Sequence, residues 1–200
     1  MYNHCCIKGM VFYQKGKYDE ALTLFDKILN QPGAENNVQS LLYKGMVLLK
    51  NGDYKNATIV LLKAEESNMS NYFIKNELGI AYRYSNEYEK AIVYFEEALK
   101  FKPGNVQSFD GLFKCYRSLL KYKNAVEVVD KMCKESIFDV KLLKEAIGLC
   151  LYNEYGVQDY DKAQSYLNLL QQLKFQDKES YINKITSKIF SFRNSFYKKI

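Results

Sequence analysis

The feature that most constrains this chain is that it writes one segment five times. The copies run Gly16 to Leu29 (GKYDEALTLFDKIL), Gly52 to Ala64 (GDYKNATIVLLKA), Asn86 to Leu99, Leu120 to Met132 and Gln158 to Leu170. Each carries a tyrosine, two mostly polar residues, an alanine, then apolar residues at helical spacing. A catalytic constellation is needed once, so five copies point to architecture.

The register extends upstream. Gly9, Gly45, Gly79, Phe113 and Gly148 lie 36, 34, 34 and 35 residues apart. Twelve residues after each of the first four comes Ala21, Ala57, Ala91 or Ala125. In the fifth copy Ala163 follows Gly148 by fifteen, which makes that turn three residues longer. Four residues beyond each alanine stands Phe25, Leu61, Phe95, Val129 or Leu167. Pro32 and Pro103, each followed by glycine, stop a helix and turn the chain. Apolar residues recur at three and four, β-branched runs of period two are few, and only two prolines interrupt 200 residues. The expected class is all-α.

This pattern resembles the tetratricopeptide repeat family over about residues 2 to 174. The third unit carries Leu78, Gly79, Tyr82, Tyr88, Ala91, Phe95, Ala98 and Pro103 in place. The resemblance implies a right-handed α-solenoid of antiparallel helix pairs, one helix A and one helix B per unit. It implies a single solenoid over 1–200, with repeats at about 2–35, 38–71, 72–105, 106–139 and 141–174. Small residues stand where helices cross, and neighbours must stack because one unit cannot bury its own apolar face. The chain departs from the family in having no tryptophan. It also has Phe113 where glycine is usual, which sets those helices slightly apart. The fifth unit leans toward the related Sel1-like repeats. Residues 178–197 leave the pattern, with Ile182, Ile185, Ile189, Phe192 and Phe196 forming one apolar stripe. That reads as a capping helix. The alternative is a basic amphipathic helix for a membrane surface, with Lys178, Lys184, Lys188 and Arg193 on its other faces.

Chemistry is sparse. No phosphate loop, nucleophile elbow or HExxH occurs, the lone histidine is His4, and no enzyme activity is expected. Five cysteines form no CxxC, and neither a metal nor a cofactor is expected. Pairs such as Glu65-Glu66, Glu87-Glu89 and Glu96-Glu97 read as solvated helix B surface. The tyrosines occupy repeat positions, so nucleic acid is not the expected partner. With no signal peptide and no apolar span in view, the expected location is cytoplasmic. The net charge of +6 sits entirely in the second half, where 17 Lys and Arg face 11 Asp and Glu, against 12 and 12 in residues 1–100.

Family geometry implies a groove lined by helix A. Its candidate partner-binding residues are Met10, Tyr13, Leu42, Met46, Leu49, Phe73, Asn76, Ile80, Arg83, Lys114 and Arg117, with Cys6, Lys50, Tyr84, Gln107, Leu142, Leu149, Asn3 and Asn153 at related positions. The early groove is apolar and methionine-rich, which suits varied ligand shapes. Its later part is basic. The expected role is a protein-interaction scaffold, an adaptor or a subunit of a larger complex. The expected ligand is a helix or extended segment with apolar anchors followed by acidic residues. The family's clamp for chaperone Glu-Glu-Val-Asp tails needs lysine, asparagine and arginine where this chain has Cys6, Met10, Tyr43, Phe73 and Glu77. Such tails are therefore expected not to bind.

Overall fold

Short turns and small residues at helix crossings shape this chain. The computed structural model describes residues 2–68, 71–152 and 158–197, with backbone alone at 2, 3, 193 and 195–197. The described residues form helices and no strand: α1 (Tyr2–Gln14), α2 (Tyr18–Leu29), α3 (Val38–Lys50), α4 (Tyr54–Ser67), α5 (Tyr72–Tyr84), α6 (Tyr88–Phe101), α7 (Val106–Ser118), α8 (Tyr122–Lys134), α9 (Val140–Leu151), α10 (Tyr160–Gln172) and α11 (Lys178–Tyr197). They fall into two compact units, residues 1–111 and 112–200, with α7 running through the division. The longer fifth turn at 153–157 (Asn153 included), residues 69 and 70, and the side chains of Asn3, Arg193 and Phe196 lie outside the described residues.

The repeated tyrosine marks the first residue of α2, α4, α6, α8 and α10. Two residues before the first four tyrosines the backbone enters the left-handed region, at Gly16 (φ 72°), Gly52 (79°), Asn86 (62°) and Leu120 (57°). The bonds Lys17 N–H to Phe12 O, Asp53 to Leu48, Glu87 to Tyr82 and Lys121 to Tyr116 close these turns, satisfying carbonyls that the preceding helix leaves open. Leu120 is the costly version, a leucine 70% exposed in a conformation that favours glycine or asparagine. Leu120→Asn is expected to stabilise the chain by about 1 kcal/mol, since the exposed side chain gives up little packing. Urea unfolding reads this directly, and a lowered midpoint contradicts it.

In the first unit α1 packs on α2, α3 on α4 and α5 on α6, and each pair packs on the next. Three-residue turns force the helices of a pair antiparallel. Helix α1 also touches α3, and α3 touches α5, so the A helices form one face. A Cβ at Gly9 would lie 2.8 Å from Phe25, one at Gly45 2.6 Å from Leu61 and one at Gly79 2.7 Å from Phe95. Each partner is the apolar residue four places after the repeat alanine, and all three are fully buried. Helix α7 makes its close approach through Gly111, whose Cβ would come within 2.4 Å of Phe95 Cζ, and Phe113 is itself buried. Gly148 departs from its expected role: a Cβ there meets nothing within 4 Å, so no neighbour requires glycine.

Helix B carboxylates are not all solvated. Glu65 Oε1 and Glu97 Oε2 lie 2.5 and 2.7 Å from the buried Lys75 Nζ, and Tyr94 donates to Glu65 Oε2. This corrects the surface reading for Glu65 and Glu97. A lysine drawn into a helix crossing holds both acids partly out of water.

In the second unit α8 packs on α9, α9 on α10 and α10 on α11. Asp130 accepts bonds from Tyr166 Oη and, at 2.8 Å, Lys162 Nζ. Burial, followed by the charge of Asp130, pushes the Cys133 thiol up to about 11. Burial and then Asp159 push Cys150 up to about 12, so both remain thiols at neutral pH. Ile182, Ile185 and Ile189 are buried where α11 meets α10. These three isoleucines of the stripe are therefore covered, Phe192 is half-buried, and no helix among the described residues is long and apolar enough to cross a membrane.

Candidate functional site

On the A-helix side of the first unit lies a half-open cavity of about 420 Å³. Tyr13 comes from α1; Met46, Leu49 and Lys50 from α3; Tyr54 from the start of α4; Glu77, Ile80, Arg83 and Tyr84 from α5; Gln107 from α7. Helical spacing explains the convergence. Met46 and Lys50 are four apart, as Ile80 and Tyr84 are, so each pair shares a face.

Of the expected groove residues, the structure brings Tyr13, Met46, Leu49, Ile80 and Arg83 together around this cavity. Met10 instead packs half-buried into the first core cluster, with Gln39 Nε2 3.6 Å from its sulfur. Leu42 is half-buried outside the cavity lining. Phe73 is exposed and stacked on Tyr72 at 4.1 Å between ring centroids. Asn76 is fully buried: its Oδ1 accepts from Ser108 Oγ at 2.9 Å, and its Nδ2 points to Glu77 and Gln107. It is a polar tie behind the cavity and not a groove surface, because α7 covers it. Cys6, Leu142 and Leu149 are likewise core. Lys114 and Arg117 belong to the second unit, where the Arg117 guanidinium is held by the Glu145 carboxylate.

The cavity's electrostatics centre on three groups. The Arg83 guanidinium lies 4.1 Å above the Tyr84 ring, which stacks on Tyr54 at 5.0 Å. Arg83 Nε is buried and has no hydrogen-bond partner. A donor left this way is costly, and a ligand acceptor removes the cost. Lys50 is exposed at the rim. Glu77 is the acid the sequence reading placed only as a failed clamp position. Burial pushes its carboxyl up to about 7, while the bond from Asn76 Nδ2 and the Lys50 charge pull partly back. Burial first, and then the Glu77 charge, push the Tyr13 hydroxyl up to about 12. The cavity thus offers an apolar patch of Met46, Leu49 and Ile80, two cationic side chains and one acid that changes charge near neutrality.

The family described as "Psidin, N-terminal TPR repeats region" matches residues 11–173. Cell division cycle protein 27 homolog A from Arabidopsis thaliana is 30% identical over 98 residues, which is 49% of this chain and 13% of that protein. Among solved structures, residues 41 to the end of MamA from Desulfovibrio magneticus superpose with a TM-score of 0.62 at 26% identity, covering 67% of this chain and 75% of that one. The second TPR domain of human RPAP3, bound to the HSP70 peptide SGPTIEEVD, superposes with a TM-score of 0.52 at 23% identity, covering 57% of this chain and 98% of that domain. That likeness concerns the fold. A domain of this fold nevertheless holds a Glu-Glu-Val-Asp tail, so the expected exclusion of such tails does not stand.

Proposed function

The chain belongs to the family described as Psidin, N-terminal TPR repeats region, and from that premise we propose that it is a non-catalytic scaffold whose first unit binds a partner segment on its A-helix face. The segment presents apolar anchors to Met46, Leu49 and Ile80 and an acidic residue to Lys50 and Arg83. The adaptor or complex-subunit role follows from holding such a segment. The buried, unpartnered Arg83 Nε in a cavity that also presents Met46, Leu49 and Ile80 carries this reading, because it is a donor awaiting an acceptor. Cation–ring stacking pre-orients the guanidinium and lowers the entropy lost on binding.

A panel of short fluorescein-labelled peptides tests it. Leucine, methionine or phenylalanine anchors precede a pair of acidic residues, with Asn or Gln replacing the acids in control peptides. A Glu-Glu-Val-Asp peptide is included as a competitor. Fluorescence anisotropy should show acidic peptides bound more tightly than their amide controls. Arg83→Glu should weaken them at least tenfold while leaving helical circular dichroism unchanged, as expected when a buried charge contact becomes a repulsion. Equal affinity of native and Arg83→Glu chains removes the cavity from the reading.

A further inference from the structure

Glu77 is the only carboxylate among the described residues lining the cavity; it shares that lining with Lys50 and Arg83, and the Lys50 charge acts on it. Its hydrogen-bond donor is Asn76 Nδ2, 3.3 Å from Oε1, and Asn76 is itself anchored by Ser108. Around it stand Tyr13 on α1, Lys50 on α3, Tyr54 on α4, Arg83 and Tyr84 on α5, and Gln107 on α7. Lys50 and Arg83 supply the lining's two cationic side chains, and burial holds the Tyr13 hydroxyl protonated. Glu77 is thus the group whose charge changes between pH 6 and pH 8.

Resting on the reading above, we infer that the cavity takes the partner's acidic side chain together with one proton, which Glu77 receives. A ligand carboxylate drawn toward Arg83 and Lys50 brings a second acid into a cavity of about 420 Å³. Two carboxylates sharing a desolvated site do not both stay ionised. The proton comes from solvent and goes to Glu77, which is already desolvated, while the ligand carboxylate keeps its charge for the two cations. Protonated Glu77 becomes a donor, and the paired acids share one hydrogen. The same residue makes the site selective. At lower pH Glu77 stops competing with the ligand for the cations. At higher pH it is an anion that repels an acidic segment and would favour a basic one.

The sign follows from linkage. Binding that takes up a proton weakens as pH rises above the group's free value of about 7. An acidic peptide should therefore bind about tenfold more tightly at pH 6 than at pH 8, the limit for one proton taken up by a group titrating midway. The test uses the full chain, the tightest acidic peptide of the panel and its amide control, with anisotropy at both pH values. Glu77→Gln should bind the acidic peptide tightly and equally at both, and the amide control should show no such dependence on the native chain. Titration calorimetry in two buffers of different ionisation enthalpy should count close to one proton taken up at pH 8 by the native chain and none by the variant. Tight binding with a flat pH profile, or affinity that rises with pH, overturns the proton uptake and leaves the groove reading intact. No binding of any acidic peptide at either pH, by native chain or variant, sinks the groove reading and this inference with it.

Discussion

Replacing Glu77 with glutamine is expected to raise stability by about 2 kcal/mol at pH 8 and to change it little at pH 4, a pH-dependent gain that follows from the raised carboxyl. In the unfolded chain the carboxyl ionises near its ordinary value of 4.5; in the folded unit burial holds it at about 7. Between those values the unfolded state releases a proton that the native state keeps, so native stability falls as pH rises. Each unit of separation corresponds to about 1.4 kcal/mol, and the separation bounds the effect at about 3.5 kcal/mol. Above pH 7 both states are ionised and the cost is constant.

Glutamine keeps the oxygen that Asn76 Nδ2 approaches and removes the charge. It adds an amide group whose partner within the cavity is not guaranteed by any packed acceptor, which is why the gain falls short of the bound. Urea unfolding of native and variant chains at pH 4, 6 and 8 measures it. The curves should converge at pH 4 and separate progressively above it. A constant difference across that range would mean that Glu77 is as well solvated in the folded chain as in the unfolded one. A costly acid kept at a cavity wall is what a site selected for its ligand looks like, since the same residue lowers stability in the absence of one.

The scaffold was legible because it repeats. A glycine sixteen residues before a buried Phe25, Leu61 or Phe95 is the same crossing written three times, and the turn two residues before each tyrosine is written four times. The helix A positions that converge on the cavity could be read for the same reason, as Met46, Ile80 and Arg83 show. What escaped is specific to single residues. Glu77 lies one place beyond an expected groove position and looks like any helix acid until α3 and α7 close over it. Asn76 sits on the expected face, but Ser108 and Gln107 of the next repeat convert that face into an interior. Lys75, Glu65 and Glu97 are residue types that usually face water, and their pairing depends on three helices at once. Gly148 keeps the spacing of its counterparts without their neighbour. In each case the deciding fact is a third element, which one helix's periodicity does not contain. The Asn37, Asp53, Asn71, Asp139 and Asp159 caps were available as a signal for where helices begin, since each side chain accepts a bond from a backbone N–H two or three residues on.

Gly111→Ala is expected to cost the chain about 2–3 kcal/mol, against a gain of about 1 kcal/mol for Gly148→Ala, although both are glycine-to-alanine changes within helices. The intrinsic term favours alanine at either place. At Gly148 nothing opposes it, because an added methyl meets open space. At Gly111 the methyl would lie 2.4 to 2.6 Å from three atoms of the Phe95 ring. That ring is fully buried, and Gly79 presses on it with a prospective Cβ contact of 2.7 Å. A phenyl group held by helices α5 and α7 cannot rotate away from one glycine without meeting the other, so the strain passes to the backbone. Equilibrium urea unfolding of both variants gives the two signs. The mechanism is checked by repeating Gly111→Ala in a Phe95→Leu background. Leucine lacks the ring atoms that the new methyl strikes, so the second substitution should cost at least 1 kcal/mol less there than in the native chain, a coupling of the size contacting residues show. Additive costs would place the penalty somewhere other than the Phe95 ring.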